Sequence, residues 1–215
     1  MDPFVITIIS AGLRVPSSTR LLADQIGREA REAIAGSLSP DTPIQVRHIE
    51  VREHAHAIAD ALLTGFPAGQ LREALADVVA ADALIVVSPT FQASFSGLFK
   101  SFVDLIEMDQ LRGTPVLLAA TGGTERHSLV IEHALRPLFA HLGAFPVPTG
   151  VYAATADFGG DYAPALAARV TRAAQELARL AAGGSTSGSS LRRPPVDEFA
   201  QVNPFAALLA AAGQE

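Results

Sequence analysis

Apolar residues are arranged along the chain in two alternating ways. Phe4 to Ile9, Ala83 to Val87 and Val116 to Ala119 are short, almost unbroken apolar runs, as strands buried on both faces require. Between and after them, apolar residues recur every three or four positions. The sets are Leu22, Ile26, Ala30 and Ala33; Leu71, Leu75, Val78 and Val79; Leu98, Phe99, Phe102, Val103 and Ile106; Ile131, Ala134, Leu135, Leu138 and Leu142; and Leu166, Val170, Ala173, Leu177 and Leu180. That spacing predicts helices with one apolar stripe. Gly36 stops the first helix, and Pro137 is expected to kink the fourth. Two further strands read as edges. Ile44 to Val51 alternates partly with polar residues, and Pro146 to Tyr152 carries two prolines, which suit an edge rather than a central strand.

Strand and helix therefore alternate five times, the pattern of an α/β protein whose parallel sheet is covered on both faces. With right-handed crossovers and the second and fifth strands at the edges, the expected order is 2-1-3-4-5. Residues 1–182 make one such domain. Gly183 to Ser190 reads as a Gly/Ser linker, and residues 191–215 as a tail with an apolar patch at Phe199, Phe205, Leu208 and Leu209.

Charge narrows the partners. Sixteen basic and 22 acidic residues give a net charge of −6 among 215 residues, which argues against a nucleic-acid surface. A bound phosphate must then be held locally by a loop. The absence of cysteine removes disulfides, thiolate catalysis and cysteine-based metal sites. Met1-Asp2-Pro3 lacks the basic start of a signal peptide, and no apolar run approaches the ~20 residues of a membrane span. The expectation is a cytoplasmic protein without membrane or nucleic-acid partners.

In this topology the carboxyl ends of strands one, three and four face one crevice, and all three ends carry small, hydroxylated or glycine residues. After the first, Ser17, Ser18 and Thr19 stand where a helix begins, so unpaired N–H groups and the positive end of the helix dipole favour an anion. Arg14 adds a charge-assisted contact suited to a phosphate dianion. Ordinary capping by Ser17 or Ser18 accounts for one of these serines without a ligand. The second loop, Ser88 to Gly97, offers backbone N–H groups and Phe91 as a wall for a flat heterocycle; Phe95 and Phe99 read as core, and Gly97 as a close-packing or turn residue. The third, Thr121-Gly122-Gly123-Thr124, lets backbone approach a ligand closely.

Other residues carry less. There is no G-x-x-x-x-G-K-S/T and no G-x-G-x-x-G. His127, His133 and His141 are spaced by six and eight residues, which matches no metal-ligand pair. Lys100 and Asp104 read as a surface pair, and His48, His54 and His56 as solvated.

Together the three loops resemble the NAD(P)H-dependent FMN reductase family of the flavodoxin-like superfamily. The family's first motif, G-S-x-R-x-x-S-x-N, has its counterpart in Ala11 to Thr19. Its middle motif, S-P-x-Y-x-x-x-x-x-G-x-L-K-x-x-x-D, has its counterpart in Ser88-Pro89-Thr90-Phe91, Gly97, Phe99-Lys100 and Asp104. Thr121-Gly122-Gly123 followed by His127 looks like the branch that supplies reduced flavin to two-component monooxygenases. Gly12 departs from the family's serine, Thr19 from its asparagine and Phe91 from its tyrosine.

The resemblance implies a flavodoxin-like three-layer sandwich in which Arg14, Ser17, Ser18 and Thr19 hold the FMN phosphate. Pro89, Thr90, Phe91 and Gln92 would border the isoalloxazine, and Thr121, Gly122, Gly123 and Thr124 its pyrimidine edge. It further implies NADPH or NADH as hydride donor, a flavin-dependent monooxygenase as partner, and a homodimer or homotetramer. No side chain need act as acid or base, since the cofactors carry the hydride chemistry. An FMN-bound quinone or azo reductase, a flavodoxin-like electron carrier without nicotinamide activity and a flavin-binding regulatory module remain as alternative readings.

Overall fold

The computed structural model describes residues 2–159 and 163–184. Residues 185–190 of the Gly/Ser segment and the whole 191–215 tail lie outside them. The chain runs β1 (Phe4–Ser10), α1 (Ser18–Ala35), β2 (Ile44–Glu50), α2 (Ala55–Thr64), α3 (Gly69–Val79), β3 (Ala83–Phe91), β4 (Ser94–Phe95), α4 (Gly97–Val103), β5 (Pro115–Gly122), α5 (Arg136–His141), β6 (Phe145–Pro146), β7 (Val151–Ala154) and α6 (Ala163–Gly184).

The parallel sheet follows the path β2-β1-β3-β5-β6, with β7 also parallel to β5 and β4 antiparallel to β3. Side chains of β3 alternate between two cores, as strand geometry requires. Ile85 and Val87 face α1 and α6, packing with Leu22, Ile26, Val170 and Leu177. Leu84 and Val86 face the other helices, packing with Ile58, Leu71, Val78, Phe102 and Phe139. Burying each such aliphatic or aromatic side chain contributes about 1.5–3 kcal/mol. The result is the expected three-layer α/β sandwich.

Several details differ from the sequence expectation. The sheet has seven strands rather than five. The stretch read as one strand from Pro146 to Tyr152 is two, β6 and β7, because Pro146 and Pro148 interrupt the ladder. β3 does not end at Val87. It continues through Ser88-Pro89 to Phe91, and Pro89 is tolerated because β1 has already ended opposite Val87. The region before β3 holds two helices, not one, with Gly65 (φ +81°) closing α2 in the left-handed conformation. Around Pro137 the chain makes a π turn, Ile131–Leu135, and then α5 with Pro137 in its first turn, so the lost N–H is absorbed by a wider turn. Leu180, placed on the last apolar stripe, is 40% exposed.

Candidate active site

Parallel register brings the three loops together. Ser10 stands opposite Val87, and Pro89 opposite Thr121, so the ends of β1, β3 and β5 share one edge of the sheet. At the first, Ser17 is the N-cap of α1 and its hydroxyl accepts from the Arg20 N–H at 3.2 Å. The capping role is thus realised. Ser18 opens the helix and is exposed, as is Arg14, which makes no ion pair among the described residues. The loop closes tightly: a side chain at Gly12 would collide with Ser17 Oγ and sit 3.2 Å from Thr19 Cβ.

Thr19 lies differently from its neighbours. It is buried, and its hydroxyl pairs with that of Thr121 at 2.9 Å. This bond fastens the start of α1 to the end of β5 across 102 positions of sequence.

The second loop is a two-residue hairpin between β3 and β4, with Thr90 opposite Phe95 and Phe91 opposite Ser94. Its turn residues, Gln92 (φ +47°) and Ala93 (φ +65°), are both left-handed, a conformation that costs a non-glycine residue about 1–2 kcal/mol. The Ser88 hydroxyl holds the base of the hairpin, donating to Pro89 O and accepting from Ser96 N–H, each at 3.0 Å. Phe91 is 44% exposed, whereas Phe99 is fully buried and meets Phe95 edge-on at 5.8 Å between ring centres. The core reading of Phe95 and Phe99 therefore stands. A side chain at Gly97 would meet open space, so neither close packing nor a positive φ accounts for that glycine. The Thr90 hydroxyl is buried beside the Tyr152 phenol.

At the third loop Gly122 is half-buried and Gly123 and Thr124 are exposed, with open space above Gly123. Tyr152 of β7, unmarked by the sequence pattern, donates its hydroxyl to Thr124 O at 2.7 Å. Burial first, and then the charges of Glu125 and Asp157, push its phenol above the ordinary tyrosine value. A tyrosine amid buried alanines was the available signal, because a buried phenol seeks a partner.

His48 is a correction to the sequence reading. It is not solvated: its Nε2 meets Ser10 Oγ at 3.0 Å and its Nδ1 lies 3.4 Å from Asp24 Oδ1. Arg20 bridges the same Asp24 to Glu50, and Arg52 joins Glu50 at 2.8 Å. This network braces the edge of the sheet behind the first loop. Lys100 and Asp104 form the expected exposed pair at 2.5 Å.

The chain as a whole is similar to known proteins. Residues 5–159 match the family described as NADPH-dependent FMN reductase. The chain is 40% identical to an FMN reductase (NADPH) of Pseudomonas aeruginosa over 186 residues, 86% of this chain and 96% of that relative. It is also 40% identical to the NADH-dependent FMN reductase SfnE of Pseudomonas putida over 181 residues, 83% of this chain and 92% of the relative. The X-ray structure of an oxidoreductase from Corynebacterium diphtheriae superimposes with a TM-score of 0.80 at 41% identity, covering 85% of this chain and 99% of that one. By family match, sequence and fold alike, this chain belongs to the NADPH-dependent FMN reductase family.

Proposed function

We propose that the protein is an NAD(P)H-dependent FMN reductase that releases reduced FMN to a flavin-dependent monooxygenase, acting as a cytoplasmic homo-oligomer. The observation that carries this reading is the gathering of an exposed arginine, a helix N-terminus and a Gly-Gly turn at one sheet edge, in a chain of this family.

The residues present fit the flavin. Arg14 supplies a positive charge that makes no ion pair among the described residues, and the N-terminal N–H groups of Ser18 and Thr19 on an 18-residue helix supply donors and a favourable dipole for the phosphate. Ser17 and Ser18 add hydroxyls, while the Thr19 hydroxyl braces Thr121 and leaves its N–H for the ligand. At the ring end, Pro89, Thr90, Phe91 and Gln92 border the isoalloxazine, with the exposed face of Phe91 as an apolar wall. The space above Gly123 is open to a flat ligand at the same edge. Thr121, Gly122, Gly123 and Thr124 present backbone N–H groups to the pyrimidine edge, where negative charge builds up on reduction.

Held by the Arg14–Thr19 loop, Pro89 to Gln92 and the Thr121–Thr124 turn, FMN would supply the hydride acceptor for the nicotinamide. The chain's part is to hold the ring flat, leave one face open to the nicotinamide and stabilise the added charge. No side chain need transfer a proton to the reacting carbon. The deciding experiment follows oxidation of NADPH and NADH by purified protein with and without added FMN. Turnover that requires FMN and forms one reduced flavin per nicotinamide is expected. An absence of turnover with either donor, in protein that binds FMN, would overturn the reading.

A further inference from the structure

Tyr152 sits in β7 with 5% of its surface exposed, its backbone paired with Ala120 of β5. Its side chain turns toward the end of β5. There the hydroxyl donates to the Thr124 carbonyl at 2.7 Å. The same oxygen fills the space that a side chain at residue 122 would need: a Cβ on Gly122 would collide with Tyr152 Oη and lie 3.2 Å from Cζ. Gly122 does not have a positive φ, so the glycine answers to the tyrosine and not to a backbone conformation. The phenol also lies beside the buried hydroxyl of Thr90 in the neighbouring loop, in reach of a side-chain hydrogen bond with it.

We infer that Tyr152 is a positioning residue for the flavin: its phenol pins the Gly122–Thr124 turn and so aims that turn's N–H groups at the pyrimidine edge of the isoalloxazine. The inference rests on the reductase reading above. Two consecutive glycines leave this turn more backbone freedom than any other pair of residues would. Unpinned, the turn must be ordered each time a flavin binds, and affinity falls accordingly. One hydrogen bond to its last carbonyl and one ring packed on its first residue remove that freedom before binding. Burial keeps the phenol protonated through the neutral range, so it serves as a permanent donor to Thr124 and takes no part in proton transfer.

A pin at the ring end acts on every flavin, with or without a phosphate. Tyr152→Phe keeps the ring and removes only the hydroxyl. Its dissociation constants for FMN and for riboflavin, read by flavin fluorescence, are expected to rise together by about tenfold, the loss of one hydrogen bond. The KM for the nicotinamide should stay within about twofold. Gly122→Ala, which collides with the phenol oxygen, is expected to weaken flavin binding further, and Gly122→Ala combined with Tyr152→Phe to recover part of that loss.

Wild-type affinity for both flavins in Tyr152→Phe would overturn the inference, as would a loss confined to FMN or strictly additive effects in the double variant. Should Tyr152→Phe fail to fold, Gly122→Ala decides: weakened flavin binding at an unchanged melting temperature supports the pin, and unchanged binding overturns it. Wild-type protein that neither binds FMN nor oxidises NAD(P)H in its presence would instead overturn the reductase reading, and this inference with it.

Discussion

Arg14 stands out among the residues of the first loop because it is exposed and makes no ion pair among the described residues. The other arginine close by, Arg20, is held by Asp24 and Glu50 and is pushed above its ordinary value despite its burial. Of these two arginines, Arg14 is the one without an ion pair among the described residues and so the one placed to meet a phosphate. A charge-assisted hydrogen bond contributes about 1.5–3 kcal/mol, so Arg14→Ala is expected to raise the KM for FMN by about tenfold to a hundredfold. Riboflavin, which lacks the phosphate, should be reduced by Arg14→Ala as by the wild type. Steady-state rates with the two flavins side by side check this; an equal loss on both would remove Arg14 from the phosphate site. The capping role of Ser17 was legible in the sequence, because a hydroxyl at a helix start accepts from the free N–H groups there. The Thr19 hydroxyl was not, since its partner Thr121 lies 102 positions away.

At the scale of elements, the contact of α1 with β2 behind the first loop is the polar part of an otherwise apolar frame. His48 is held neutral there. Burial is the main cause, and the nearby Arg20 guanidinium adds to it, against the pull of Asp24 and Glu50. A histidine lowered from its ordinary 6.5 binds its proton more readily in the unfolded chain than in the folded one. Its contribution to stability is therefore complete above about pH 6.5 and is lost as the pH falls toward the folded value, at no more than about 1.4 kcal/mol per pH unit. Glu50 follows at lower pH. Although burial works to raise it, Arg52 and Arg20 hold its carboxyl below the ordinary range, so its contribution is lost only as acid reaches that depressed value. Thermal unfolding of the wild type between pH 7.5 and 5 should show a falling midpoint, and His48→Gln a flatter profile over the same range. Parallel profiles would show that His48 does not titrate in the fold. Nothing in the sequence set His48 apart from His54 and His56, because its burial follows from where β2 lies against α1.

For the molecule as a whole, both cores as formed by the described residues run from Phe4 to Ala181. Among the described residues no helix is long and apolar enough to cross a membrane. We propose residues 1–182 as the folding and catalytic unit. A chain ending after Gly184 should then unfold cooperatively at the wild-type temperature and reduce FMN at the wild-type rate, measured by calorimetry and by nicotinamide oxidation. A fall in both would show that residues 185–215 complete the fold, whereas a fall in delivery to a monooxygenase alone would place the tail at that partner.

Periodicity along the chain was enough to read the layers, the parallel sheet and the three loops at its carboxyl edge. Unbroken apolar runs and three-to-four spacing are local consequences of which faces are buried. The motifs at Arg14, Pro89 and Gly122 were legible for the same local reason, each lying just past such a run. The hydroxyl bond between Thr19 and Thr121, the hold of Tyr152 on Thr124 and the burial of His48 came only with the folded chain. So did the division of the last strand and the π turn ahead of Pro137. The three side-chain contacts depend on register between segments far apart in sequence, where a hydroxyl or imidazole finds its partner only after the sheet has set which residues stand opposite one another.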